Sequence, residues 1–188
     1  MRATARASSD DDRLLIERVR RGDQDAARAI FERYFDRIYN YVYARIGRIE
    51  DAEDLAIDTM TRSLTRLDLY QDQGVAFSSW LYRIAHNATI DHYRRRGKVT
   101  LVPLETATLP QSADPSDLAL EQLSNDELRQ ALRALTDEQQ QVLILRFFQD
   151  LTAAQVAEII GKSVGAVQAL QHRALGSLER ALQGKAVN

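Results

Sequence analysis

At 188 residues with 45% hydrophobic content, the chain can pack one domain or two small ones, and disorder throughout is excluded. A formal net charge of -2 would argue against a nucleic-acid partner if charge were evenly spread, but bases and acids are segregated by segment. Cysteine is absent, which removes disulfides, thiolate metal sites and cysteine nucleophiles and fits a reducing cytoplasm. The first twelve residues have no apolar signal core, and no run approaches the ~18 apolar residues of a membrane span. A cytoplasmic protein without membrane insertion is expected.

Residues 1–9 are small, polar and basic and read as a disordered tail. Asp10, Asp11 and Asp12 then suit a helix N-terminus ahead of Leu14, Leu15, Ile16 and Val19. Gly22 ends that short helix and Asp23 caps the next, whose Ala27, Ile30, Phe31, Tyr34, Ile38, Tyr41, Val42 and Ile46 keep a helical period as far as Gly47. A third helix over 50–67 buries Ala52, Leu55, Ala56, Thr59, Met60 and Leu64. Its first turns carry Glu50, Asp51, Glu53, Asp54 and Asp58 with no base between Arg48 and Arg62. Those acids are either solvated charge that complements the macrodipole or a docking face for a basic partner.

A polar loop, 69–75, leads into the stretch 77–98. There Trp80, Leu81, Ile84, Ala85, Ala88 and Ile90 supply apolar contacts, while Arg83, Asn87, Asp91, Arg94 and Arg95 recur three or four residues apart. Arg94, Arg95, Arg96 and Lys98 concentrate positive charge at the end of this helix, with no acid from 92 to 104. That is a phosphate-binding end or a solvated basic one. The lone Trp80 is a core anchor that could also stack an unpaired base.

All three prolines, Pro103, Pro110 and Pro115, fall in an acidic segment without helical period, which reads as a linker over 99–123. Beyond it come three capping-box patterns, at Ser124 with Glu127, Thr136 with Gln139 and Thr152 with Gln155. The first helix presents Leu128, Leu132 and Leu135. The second runs through Val142, Leu143, Leu145, Arg146 and Phe147, and the short third carries Val156, Ala157, Ile159 and Ile160. Gly161 breaks the third, Ser163 caps the last, and Val167, Leu170, Ala174 and Leu178 form a buried stripe. A short helix, a glycine turn and a longer helix make a helix-turn-helix or an ordinary helical hairpin. In the first case Lys162, Ser163, Ala166, Gln168, Gln171, His172 and Arg173 lie where bases and phosphates are reached.

Other chemistries fail on spacing. Gly161-Lys162-Ser163 resembles the end of a P-loop, but Val156 stands where that loop needs glycine. His86 and His92 do not share a helix face and have no thiolate or carboxylate set around them, so no metal or other cofactor is expected. No nucleophile-base-acid arrangement stands out, so an enzyme is not expected.

Together DAEDLAIDTM, FSSWLYRIAHNATIDHYRRR and LTDEQQQVLILRFFQDLTAAQVAEIIGKSVGAVQALQHRAL resemble the extracytoplasmic-function sigma factors of bacterial RNA polymerase, in order and over nearly the whole chain. The resemblance implies an all-α protein of two small helical domains. Region 2 would span 10–98 and region 4, with its helix-turn-helix, 124–185, joined by the extended acidic linker. It implies docking of Asp51, Glu53, Asp54 and Asp58 on the polymerase beta-prime clamp helices. It implies capture of the -10 element by Trp80, Arg83, Asn87, Asp91, Arg94, Arg95 and Arg96, and -35 reading by the second domain, which also grips the beta flap. Control by an anti-sigma factor is implied as well. Two stretches depart from the family pattern: Ile57 replaces a polar docking residue, and Ala166, Gln168, Ala169 and Leu170 leave the recognition helix poor in charge. The rival reading is an autonomous helix-turn-helix regulator that binds duplex DNA as a dimer.

Overall fold

The computed structural model describes residues 2–71, 76–95, 131–132 and 134–183, and every regular element among them is helical. The first helix, α1 (Arg2–Arg20), begins well before the expected start at Asp10. Residues 2–9, read as a disordered tail, continue the helix instead, in keeping with the high helix propensity of Ala3, Ala5 and Ala7 and of Arg2 and Arg6. Helix α2 (Gln24–Ile46) is capped as expected: Asp23 accepts from the Asp25 and Ala26 amides, and Gly47 closes it at φ 74°. Helix α3 (Ile49–Thr65) is followed by a 3-10 turn (Leu67–Leu69), and α4 (Phe77–Arg95) runs back across both α2 and α3.

The second half holds α5 (Asp137–Leu143), a π-helical turn (Ile144–Phe148), α6 (Ala153–Ile160) and α7 (Val164–Gln183). Both capping boxes within the described residues form, Thr136 with Gln139 and Thr152 with Gln155. Gly161 ends α6 in the left-handed region, where the absence of a Cβ removes the steric penalty. The π turn departs from the expected continuous helix through Phe147. Its extra residue per turn keeps Ile144 and Leu145 buried while Phe147 and Phe148 remain 46% and 39% exposed. The linker, the Ser124 capping box, Arg96 and Lys98 lie outside the described residues.

One core joins the two halves. Ile30, Ile38, Tyr41, Val42, Met60 and Leu81 from the first half cluster with Val142, Leu145, Val156, Ile159 and Val167 from the second. Helix α4 lies against α6, and a smaller cluster of Leu132, Leu135, Leu143, Ala174 and Leu178 ties α5 to α7. Polar bonds also cross the boundary. Arg45 donates to the Asp137 carbonyl at 2.9 Å, Gln141 donates to Tyr41 Oη at 3.4 Å and to His86 Nδ1, and the Tyr82 hydroxyl donates to Gln149 Oε1.

His86 is 8% exposed, and burial, reinforced by Arg45, lowers its pKa to about 4. Beside it lie Arg45 of α2 and the Gln141 amide of α5, neither of which favours an imidazolium. The unfolded state takes up a proton near pH 6.5 and the folded state near 4, so stability present above pH 6.5 is lost as pH falls through this window. Between pH 7 and 5 the loss from this group is expected to be about 2 kcal/mol. Urea titrations at the two pH values measure it, and His86→Gln should flatten the difference; an equal drop in the variant would exclude His86 as its source.

Candidate functional site

Helix α4 is buried on all sides but one. Phe77, Trp80, Leu81, Tyr82, Ala85, His86, Ala88 and Thr89 are buried, whereas Arg83, Asn87, Asp91, Arg94 and Arg95 are exposed. The polar stripe expected from the spacing therefore stands outward on a rigid support. Asp91 pairs with Arg94 at 3.6 Å, both side chains more than half exposed, and their attraction is correspondingly small. Below the start of the stripe lies an aromatic floor: Tyr70 meets Phe77 at 5.2 Å and Trp80 at 5.5 Å between centroids. Arg20 fastens this floor by donating to the carbonyls of Leu67 and Tyr70. Trp80 is 8% exposed, so the indole is chiefly a core anchor with little ring left for a base.

The acidic helix divides its carboxylates between two jobs. Glu50, Glu53 and Asp54 are exposed, with Ile57 at 49% and Ile49 at 47% exposure on the same side. Asp58 pairs with Arg62 at 2.8 Å. Asp51 faces inward instead, 3.3 Å from Arg48 and 3.9 Å from His92 of α4, which makes it a brace between helices. The outward face is thus mixed, acidic and apolar. Glu50 and the two isoleucines extend it beyond the expected set, and the acid-rich first turns were the sequence signal for Glu50.

In the second half the buried stripe is as expected: Val167, Leu170, Ala174 and Leu178 are at most 8% exposed. Gln168, His172 and Arg173 are exposed, and Arg173 donates to the Ala169 carbonyl at 3.3 Å. Ser163 caps α7 by accepting from the Ala166 amide at 3.2 Å, Ala166 is half-buried, and Lys162 is held by Glu138 at 2.9 Å. Gln171 departs from expectation. It is half-buried beside the stripe, and its Oε1 accepts from Arg146 at 3.0 Å, so its amide serves the fold. Arg146 also donates to the Leu151 carbonyl and so ties the π turn to the connection before α6 as well as to α7. The exposure of Phe147 and Phe148 was missed in the sequence, which placed Phe147 along a continuous helix and gave Phe148 no role.

Electrostatically the arrangement opposes a cationic stripe on α4 to an anionic patch on α3 of the same helical unit. The first suits phosphates and the second a basic protein surface. Among the described residues no cluster of potential ligands could hold a metal, and no helix is long and apolar enough to cross a membrane.

Comparison with known proteins matches the chain to two families, one in each half. The Sigma-70 region 2 family matches residues 30–99 and the Sigma-70, region 4 family matches residues 131–180. The chain is 39% identical over 181 residues to the ECF RNA polymerase sigma factor BldN of Streptomyces coelicolor, covering 94% of this chain and 68% of that protein. It is 30% identical to the ECF RNA polymerase sigma factor SigW of Bacillus subtilis, covering 89% of this chain and 95% of that protein. In fold it is similar to CnrH, solved in complex with the cytosolic domain of CnrY, with a TM-score of 0.70 at 22% identity over 93% of this chain and 98% of that one. It is also similar to the sigma factor RpoE of Bartonella quintana, solved with the anti-sigma factor NepR, with a TM-score of 0.65 at 20% identity over 83% and 96% of the two chains.

Proposed function

The chain belongs to the extracytoplasmic-function sigma factors of RNA polymerase, and we propose that its exposed faces divide the family's work between polymerase and promoter. As a sigma factor it binds core polymerase and directs initiation at promoters with -35 and -10 elements. It performs no covalent chemistry itself. The observation that carries the assignment of surfaces is the single exposed stripe of α4, in which Arg83, Asn87 and Asp91 are flanked by Arg94 and Arg95.

Extruding a base from the -10 element is unfavourable by a few kcal/mol, and it is offset by contacts held ready beforehand. A stripe on a helix whose remaining faces are packed offers its groups at fixed positions. Arg94 and Arg95 hold phosphates, while Asn87, with both a donor and an acceptor, reads a base edge. Glu53 and Asp54, with Ile57 between the turns, dock on the basic clamp helices of the beta-prime subunit. Asp51 acts from behind by holding α3 to α4. In region 4, Gln168 and His172 read the -35 duplex, Lys162 and Arg173 approach its phosphates, and Phe147 and Phe148 offer an apolar contact to the beta flap. An anti-sigma factor covers these polymerase-facing surfaces when the protein is held inactive; the solved RpoE complex supports this by similarity of fold.

Asn87→Ala provides the test. On a set of templates varied only in the -10 element, it is expected to reduce the preferred template's transcription about tenfold and hardly affect the weak ones, so that preference narrows. Equal loss on every template would assign Asn87 to the phosphates and remove it from base reading.

A further inference from the structure

Leu69 is 71% exposed, more than any other large apolar side chain among the described residues, yet its backbone is firmly held. The 3-10 turn that carries it is closed by the Leu69 amide on the Arg66 carbonyl at 2.9 Å and by the Tyr70 amide on the Leu67 carbonyl at 3.1 Å. Leu67 before it and Tyr70 after it are buried. Arg20 of α1 then donates through Nη2 to both of their carbonyls, Leu67 at 3.2 Å and Tyr70, and so clamps the turn on either side of Leu69. A turn packed and clamped in this way that still presents leucine to water forgoes the gain of burying it.

The turn adjoins the reading stripe of α4. Tyr70 packs on Phe77 and Trp80, and Trp80 stands one helical turn before Arg83, where the stripe begins. Leu69 therefore belongs to the Arg83 end, and Arg95 marks the other, ~18 Å further along the helix. That length matches about five base steps of a strand. Opening a duplex over it takes more than phosphate contacts and hydrogen bonds, because a group must enter the gap left by the unstacked base. Leucine is one of the apolar side chains that proteins insert between base steps for this purpose. The rings that could serve are committed to the core, since Tyr70, Phe77 and Trp80 are at most 8% exposed, and the exposed groups of the stripe are all polar or charged. Leu69 supplies the apolar group that the stripe lacks.

Resting on the reading of α4 as the captor of the -10 element, we infer that Leu69 is the wedge that fills the gap as the -10 duplex opens, with Arg20 as its positioning residue. The wedge acts on a duplex that has still to be unstacked, so it governs opening and not the holding of strands already apart. Arg20 touches no DNA in this role; it fixes the two carbonyls between which Leu69 is presented.

The test uses the full chain with core RNA polymerase on a promoter that the wild-type protein selects from a random library. The promoter is supplied as an intact duplex and with its -10 strands mismatched, so that they are already open. Leu69→Ser is expected to slow opening of the duplex about tenfold, read by 2-aminopurine fluorescence within the -10 element, and to leave transcription from the mismatched template within about twofold of wild type. Leu69→Met, apolar and similar in size, should match wild type on both. Arg20→Met should reproduce the split, and combining it with Leu69→Ser should slow opening no further, because one residue acts through the other. Should Arg20→Met lower the melting temperature, Arg20→Lys, which keeps the charge but not the fork of donors, carries the same expectation. Equal loss on both templates, or no loss on the duplex, would overturn the wedge, and additive effects of the two substitutions would overturn the role given to Arg20. Failure of the wild-type protein to select any promoter from the library would instead overturn the sigma-factor reading.

Discussion

Glu53→Lys with Asp54→Lys is expected to weaken binding to core polymerase by about a hundredfold and to abolish transcription at limiting protein, while helicity and melting temperature stay unchanged. The two carboxylates are exposed and lie beyond the first turn of α3, so their contribution to the helix itself is small. Reversing them changes the local charge by four units on the face proposed to meet a basic surface. A hundredfold corresponds to about 2.7 kcal/mol, a modest sum for several like-charge encounters at a partly desolvated interface. Asp51→Asn makes the contrast. That residue touches Arg48 and His92, so the substitution should reduce stability more than it reduces intrinsic affinity for polymerase. An unchanged dissociation constant in the double lysine variant would remove α3 from the polymerase interface.

The second large effect concerns the basic end of α4. Arg94→Ala with Arg95→Ala is expected to lower promoter binding by the polymerase complex about thirtyfold at low salt, equally on every -10 sequence, because phosphates carry no sequence information. The slope of log affinity against log salt should fall in magnitude by between one and two units, one phosphate contact per arginine. Arg94 also engages Asp91 at 3.6 Å, but both side chains are well exposed, so losing that pair has little effect on stability. A change of -10 preference without a change of salt slope would show that these arginines read bases.

The local chemistry of the chain was legible because it is local. Asp23, Thr136 and Thr152 cap the helices they precede, Gly47 and Gly161 close the helices they follow, and the Val167 stripe is buried at its expected spacing. Helical period likewise turned Arg83, Asn87, Asp91, Arg94 and Arg95 outward together. What stayed hidden depends on partners distant in sequence. Asp51 and Gln171 read as surface groups until His92 and Arg146 are brought beside them. The polar side of the contact between the halves uses Tyr82, His86, Gln141 and Gln149, side chains to which a hydrophobic period is blind, and the hydroxyl of Tyr41, whose ring alone the period had placed. The π turn is a case of tertiary packing overriding local preference, since Ile144 and Leu145 must stay in the shared core while Phe147 and Phe148 turn out.

The most direct measurement is transcription by purified core RNA polymerase on a library of random promoters, with and without this protein, read by sequencing transcript starts. Addition of the protein is expected to produce starts at defined positions whose upstream sequences share a -35 and a -10 element. The Glu53→Lys, Asp54→Lys variant should give none. No stimulation of core polymerase, together with tight binding of the protein alone to palindromic duplex DNA as a dimer, would contradict the account and identify an autonomous regulator.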